Sequence, residues 1–570
     1  MGEREGRWME LPRPELADVA REFASKHVEE ARWIGLLAFG PRALSYGSPS
    51  DELELLLVAH GVGPKVKHVQ GQVEQAPVSL TIVDGGIFKS DVRRGLLGEL
   101  LADKLLVPYV PIFGRSYLFE REVELKERLV RELVLDLAAN FQAFSLEILL
   151  DPKYFLYETI NRMGRIMPLS AFMFANVLGR PSDRHRHEPS IMRGFNEALK
   201  RLVEAGWVKE EEGLIRLRAR ALKATRMRFL SSLALGIEKL LRGLRKYATR
   251  AATGLVRPYV LEREVFLRRF GAGAQSNPLW VLPKPDDFFF LRTKLGLRPA
   301  LKEVALEEVA SAIGPVGGKD DVIISEVGGS LNLVCLVTVR GELGSVKLIV
   351  KKFRSWDNLK WLSLRLWVLG AKKFTISGRE RLRREYTMCR LLNELGFRVP
   401  EIYHVDLKNN TLVEEFIDGV ALSELIKAFL FGEAGGEGVL EPVRRAGRVL
   451  ASVHRAGIAV GDCKPENFIV EPSGRIALID LEQASRGGDY SWDVAEFLYY
   501  AGHYVPSVSS AEAFKAVAEA FVRGYIEAGG IYEAVKEAPS VKFVRIFSIF
   551  TPPQVIEVIY EVCEGAREWL

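Results

Sequence analysis

At 570 residues the chain is too long for a single core, and a makeup of 48% hydrophobic and 27% charged residues is that of a soluble globular protein built from several domains. The four cysteines, Cys335, Cys389, Cys463 and Cys563, form no C-x-x-C pair, which excludes a zinc ribbon and a disulfide framework. No secretory signal and no apolar run of membrane-spanning length appears, so a cytoplasmic protein without a membrane partner is expected. The net charge of +5 is unevenly spread. Fifteen basic residues lie between Arg216 and Arg269 against only Glu238, Glu262 and Glu264, so that strip is +12 and the rest of the chain −7. Such a strip suits a polyanion, including a nucleic acid, or an acidic neighbouring domain.

In chain order, residues 14–33 read as an amphipathic helix, 35–39 as a short apolar strand, 52–58 as a second strand and 78–83 as a third. Gly40-Pro-Arg lies between the first two strands, and Glu52 and Glu54 alternate at the start of the second, so their carboxylates share a face. This unit resembles the small nucleotidyltransferases of the polymerase-β superfamily, whose strand–turn–strand carries D-h-[DE]-h. That resemblance implies a metal pair on Glu52 and Glu54. The chain departs from the pattern at Pro41, at Glu52 in the usual Asp place, and at Ser79 where a third acid is usual, with Asp84 nearby.

Residues 104–150 read as helices broken at Pro108 and Pro111. An amphipathic helix over 191–203, opening at Pro189 and Ser190, is followed by a hairpin over 208–217. Helix plus hairpin resembles the second half of a winged helix-turn-helix, a module used on DNA and equally as a protein connector. His185 and His187 read as part of a solvated basic loop. Residues 219–252 read as one long basic helix, either a packed linker or a nucleic-acid surface, and prolines punctuate the stretch up to about 298.

Beyond residue 300 strands are expected over 321–326, 333–340 and 346–352, with the turn Val327-Gly-Gly-Ser-Leu-Asn332 between the first two. Gly328, Gly329 and Ser330 let backbone N–H groups approach phosphates. Lys351 ends the third strand, and its neighbour Lys352, facing the other way, is the alternative. Glu385 lies on the amphipathic helix 381–392. Glu415 lies in Leu412-Val-Glu-Glu-Phe-Ile-Asp-Gly419. Then come Val460-Gly-Asp-Cys-Lys-Pro-Glu-Asn467, a strand, a turn, and a strand ending at Asp480-Leu-Glu482. Asp462 can accept the proton of an attacking hydroxyl. Lys464 can reach a transferring phosphoryl group, and Asn467 and Asp480 can hold magnesium.

The two loops resemble the H-R-D-x-x-x-x-N and D-F-G motifs of the protein-kinase-like superfamily. The glycine before Asp462, the lost D-F-G glycine and the upstream His454 look like its atypical branch: RIO-type, lipopolysaccharide-kinase-like and aminoglycoside-phosphotransferase-like enzymes. The resemblance implies that Lys351 binds the α- and β-phosphates of ATP and pairs with Glu385. It also implies that Glu415 marks the adenine-receiving hinge and that the aspartate of Trp492-Asp-Val, Asp493, braces the catalytic loop. Only twelve residues separate Asp480 from Asp493, too few for an activation segment.

The expectation is therefore a multidomain α+β chain. It comprises a nucleotidyltransferase-like domain (1–118), a helical and winged-helix-like domain (119–220), a basic helical linker (221–300) and a bilobal protein-kinase-like domain (301–570). Its expected function is ATP- and Mg-dependent transfer of a γ-phosphate to a hydroxyl-bearing protein, small molecule or nucleic acid. The alternatives are a nucleotidyltransferase, or a nucleic-acid-binding regulator whose kinase-like lobe senses nucleotide.

Overall fold

The structure is a computed structural model, and it describes residues 14–48, 50–73, 76–166, 168–229, 257–271, 278–314, 322–327, 332–341, 344–355, 375, 377–506, 510–548 and 550–569. The chain divides into two compact mixed α+β units, Met1–Phe290 and Leu291–Leu570. Among the described residues no helix is long and apolar enough to cross a membrane.

The first unit is organised by a five-stranded sheet of β1 (Trp33–Phe39), β2 (Leu53–Ala59), β3 (Lys67–Val73), β4 (Ala76–Asp84) and β5 (Val110–Phe113), in the order β3-β4-β2-β1-β5. Central β2 reads Leu-Glu-Leu-Leu-Leu-Val-Ala and is buried throughout, as expected for a strand covered on both faces. It pairs antiparallel to β1 and parallel to β4. Helices α1 (Pro14–Ser25), α2 (Gly85–Arg94) and α3 (Arg115–Phe141) pack on the sheet.

Several boundaries differ from the sequence reading. The first helix ends at Ser25, well short of residue 33. Within 104–150, Val110–Phe113 forms an edge strand, where a proline such as Pro111 is tolerated in a sheet. Helix α4 (Pro181–Glu204) begins at Pro181, whose missing N–H is free in a first turn, and runs through Pro189. His185 and His187 are therefore helical rather than in a loop. His187 is buried, and burial with Arg186 nearby pushes its pKa down to about 4. The hairpin β6 (Val208–Glu211) and β7 (Leu214–Leu217) forms where expected and pairs through β7 with Leu149–Leu150, which also pairs with Phe289 and Phe290. Another helix, α5 (Arg257–Phe270), follows later in this unit.

The second unit opens with an antiparallel sheet of β8 (Val322–Glu326), β9 (Asn332–Gly341), β10 (Gly344–Phe353), β11 (Ile402–Asp406) and β12 (Thr411–Glu415), in the order β8-β9-β10-β12-β11. Helix α6 (Gly378–Glu394) lies against β10 and β11. Its buried positions Leu382, Glu385, Tyr386, Cys389 and Leu392 recur at three and four, so one face turns to the sheet. Gly378 opens the helix where a Cβ would come within 2.7 Å of the Phe353 carbonyl oxygen, so no larger residue fits without a shift.

The rest is mostly helical: α7 (Gly436–Arg455), α8 (Tyr490–His503) and α9 (Ala511–Glu527), with α7 packed along α9. Two short strands, β13 (Phe468–Val470) and β14 (Ile476–Leu478), pair as a hairpin and present the loops on either side.

Candidate functional site

The register of β10 sets the two lysines apart. Lys351 pairs with Leu412 of β12 and is buried, whereas Lys352 is exposed. The Lys351 Nζ lies 3.0 Å from Glu385 of α6, 2.9 Å from Glu414 of β12 and 3.7 Å from Asp480. Burial alone would lower the lysine pKa, but the Glu385 and Glu414 carboxylates outweigh it and hold the ammonium charged. Burial pushes the Glu385 carboxyl up to about 8 against the pull of Lys351, and raises Glu414 as well.

Glu414 was not singled out in the sequence. A signal was available: Glu414 and Glu415 are adjacent in a strand, so they face opposite ways and one must point inward. The other, Glu415, holds Arg398 through contacts of 2.7 and 2.8 Å, while its backbone N–H donates to the Glu401 carbonyl.

Asp480 follows β14 and adopts a left-handed conformation at φ 59°, rare for a residue with a Cβ. Such strain concentrates at functional loops and persists only where the surroundings enforce it. Here they do. Two residues on, Glu482 is bound by Arg381 at 2.9 Å and accepts from the Asn332 amide at 2.7 Å, all three buried. Glu482 thus ties the Asp480 loop to α6 and to the start of β9. The preceding residue, Ile479, donates its N–H to the Asn467 carbonyl, which sets the two proposed metal-binding residues on adjoining backbone.

Asp462 is anchored on the other loop. Its Oδ1 lies 2.7 Å from Lys464 Nζ, and the Asn467 amide donates to its carbonyl at 2.8 Å and to Oδ2 at 3.3 Å. Burial lowers the Lys464 pKa, but Asp462 and Glu496 more than reverse that, so the ammonium stays charged. The loop hangs from α8. Asp493 accepts the N–H of Val460 at 2.6 Å and of Gly461 at 2.7 Å, and Glu496 accepts the N–H of Cys463 at 2.7 Å. An aspartate carboxylate and an amide oxygen are hard donors that suit magnesium. Gly328, Gly329 and Ser330 lie outside the described residues, as do residues 230–256 of the basic strip. The described flanks of that strip are engaged within the first unit. Arg216 lies against Glu147 and Glu211, Arg268 against Asp51, and Arg269 against Asp183.

In the first unit the two sequence-derived acids sit differently. Glu52 precedes β2, half-buried, with its Oε1 accepting from Gln70 at 3.4 Å. Glu54 is buried beneath Gly40, where φ is 81° and a Cβ would meet its Oε1 at 2.5 Å. Ser79 is its ladder partner on β4, and Asp84 caps α2 by accepting from Gly86 N at 2.9 Å. Burial pushes the Glu54 pKa up to about 8, with Lys104 opposing and Glu262 and Glu52 reinforcing. A carboxyl that titrates at 4.5 when unfolded and near 8 when folded binds its proton more tightly in the native state. Stability is therefore lost as pH rises from about 4.5 to about 8, by a few kcal/mol in all. Glu54→Gln should match the native chain near pH 5 and melt higher at pH 8 and above. Calorimetry across that range checks this, and an unchanged pH dependence would refute it.

Comparison with known proteins bears on the second unit. Residues 374–492 match the RIO domain family. The KEOPS complex subunit Bud32 of Pyrococcus abyssi is 35% identical over 103 residues, 18% of this chain and 44% of that protein. A probable serine/threonine-protein kinase BUD32 homolog of Archaeoglobus fulgidus is 29% identical over 144 residues, 25% of this chain and 66% of that one. The chain thus spans less than half of the Pyrococcus protein and just under two thirds of the Archaeoglobus one. The solved structure of the bifunctional kinase-methyltransferase WbdD aligns at 16% identity over 41% of this chain and 42% of that chain, with a TM-score of 0.23 that carries no weight. The RIO match and the kinase relatives together support a kinase, with an atypical protein-kinase-like domain in the C-terminal region.

Proposed function

We propose that the second unit is an ATP- and magnesium-dependent phosphotransferase that moves the γ-phosphate to a hydroxyl. The observation that carries this reading is the meeting of Glu385 and Asp480 at Lys351, one from the helix and one from the loop after β14. Lys351 neutralises the inner phosphates. Asn467 and Asp480 would hold magnesium, which when bound offsets charge on the phosphate oxygens. Asp462 takes the acceptor's proton, and Lys464, already against it, meets the charge developing on the transferred group. The reaction asks for positioning and charge neutralisation, which two loops braced from α8 and α6 supply. Gly328, Gly329 and Ser330 are assigned to the phosphates and Glu415 to the hinge beside adenine.

Between Asp480 and the start of α8 lies only Leu481–Asp489, so an extended peptide groove is not expected, and a folded protein, an RNA end or a small molecule is the acceptor class. The Pyrococcus relative is a KEOPS complex subunit, and a multisubunit assembly is accordingly the first partner to seek. The four-domain division, with a nucleotidyltransferase-like fold at residues 1–118 and a winged helix after it, remains part of this proposal.

The test is incubation with Mg²⁺ and ATP labelled at the α or the γ position, against proteins, RNA and small hydroxyl compounds. Label from the γ position should reach product and label from the α position should not. Transfer of α-label would instead favour nucleotidyl transfer, and turnover of neither label would leave a nucleotide sensor.

A further inference from the structure

Glu385 and Cys389 are four apart on α6 and so share its buried face. Glu414 reaches the same point from β12. One ligand atom from each lies within 4.8 Å of the other two. All three side chains are buried, and two of their polar atoms have no hydrogen-bond partner: Oε2 of Glu385 and Oε2 of Glu414. An unpartnered carboxylate oxygen in the interior is costly, and here there are two beside a thiol.

Cys389 lines a cavity of about 300 Å³ between α6, the segment Arg292–Lys294 and the start of β11, with Asn393, Pro400 and Ile402.

We propose that Glu385, Cys389 and Glu414 form a site for a thiophilic divalent cation, of which Zn²⁺ is the representative. Bonds of about 2.0–2.3 Å to oxygen and sulfur bring three such atoms around one ion, leaving a fourth position for a water. The thiolate selects zinc, cobalt or cadmium over magnesium. Binding releases the thiol proton to solvent and draws both carboxylates from Lys351 toward the ion. On the phosphotransfer reading this is a resting state, since Lys351 loses the pairs that position it. The site itself stands on the geometry and does not depend on that reading.

The experiment is titration of the full-length, metal-stripped chain with Co²⁺, followed by thiolate-to-metal charge-transfer absorption in the near ultraviolet. One equivalent should give the band with release of at least one proton, Zn²⁺ should displace it, and excess Mg²⁺ should not. Cys389→Ala, checked for folding by circular dichroism, should abolish the band, while Cys335→Ser should keep it. Glu414→Gln should keep the band but weaken affinity at least about tenfold, and it serves as the decisive variant if Cys389→Ala does not fold. Absence of a band in the native chain, its persistence in folded Cys389→Ala, or unchanged affinity in Glu414→Gln would each overturn the proposal. A band in a chain that never transfers phosphate would preserve the site and remove the phosphotransfer reading instead.

Discussion

Asp462→Asn should slow phosphate transfer by about 100-fold or more while leaving ATP affinity within a factor of about three, the pattern of a lost general base. The substitution is nearly isosteric, so its effect reports chemistry more than folding. The Asn467 amide can still donate to the backbone carbonyl of residue 462, the shorter of its two contacts at 2.8 Å. What disappears is the carboxylate, and with it both the proton acceptor and the 2.7 Å partner of Lys464. Asp480→Asn serves as the contrasting variant. Removing a proposed metal-binding carboxylate should weaken the magnesium-dependent part of ATP binding, so KM for MgATP should rise as kcat falls. Steady-state kinetics at several Mg²⁺ concentrations separates the two signatures, and full activity in Asp462→Asn would sink the assignment of the base.

These loops were legible in the sequence because they depend on short-range order. Asp462, Asn467 and Asp480 sit at fixed offsets around a hairpin of two short, wholly apolar strands, and Glu385 lies on a helix with a regular apolar period. Which of Lys351 and Lys352 faces inward turns on strand register, which is fixed by pairing with β12 some sixty residues further on, so no local pattern reveals it. Glu482 was visible as a departure from a motif, but its work was not: its partner Arg381 lies 101 residues away in the chain, and no local pattern connects them. Glu496 was missed for the same reason, since it caps a backbone N–H across 33 residues.

In the first unit, β3 escaped notice because it is an edge strand. Its residues Lys-His-Val-Gln-Gly-Gln-Val are mostly exposed, so burial imposes no alternation of apolar and polar residues on it. The fate of Glu52 and Glu54 was likewise hidden. Period-two alternation places both on one face, but what covers that face is decided by Gly40, Lys104 and Glu262, the last more than two hundred residues away.

The largest expected loss of stability belongs to Asp493. Its carboxylate is fully buried and accepts three times: from Val460 N at 2.6 Å, Gly461 N at 2.7 Å and His454 Nε2 at 3.1 Å. Because a carboxylate only accepts, the His454 proton resides on Nε2, and Nδ1 is left to accept from the Tyr525 hydroxyl at 2.7 Å. That hydroxyl in turn accepts the N–H of Ile531 at 3.3 Å. The chain of bonds therefore runs from α9 through α7 to α8 and ends on the backbone immediately before Asp462.

Asp493→Ala strands two backbone donors and one imidazole donor in the interior, at about 1–3 kcal/mol each. With three donors stranded, a loss of at least about 3 kcal/mol is expected. Asp493→Asn should fall between, because its amide oxygen still accepts but its amide nitrogen faces a donor. The Asn variant should fold and bind ATP, yet transfer phosphate more slowly, because Gly461 and hence Asp462 are no longer held in place. Denaturant unfolding of the full chain with both variants, alongside single-turnover kinetics of the Asn variant, measures the two consequences separately. Native stability in Asp493→Ala would show that the catalytic loop is braced by something other than this carboxylate. Loss of stability in both variants with an undiminished transfer rate in Asp493→Asn would confine the network to folding.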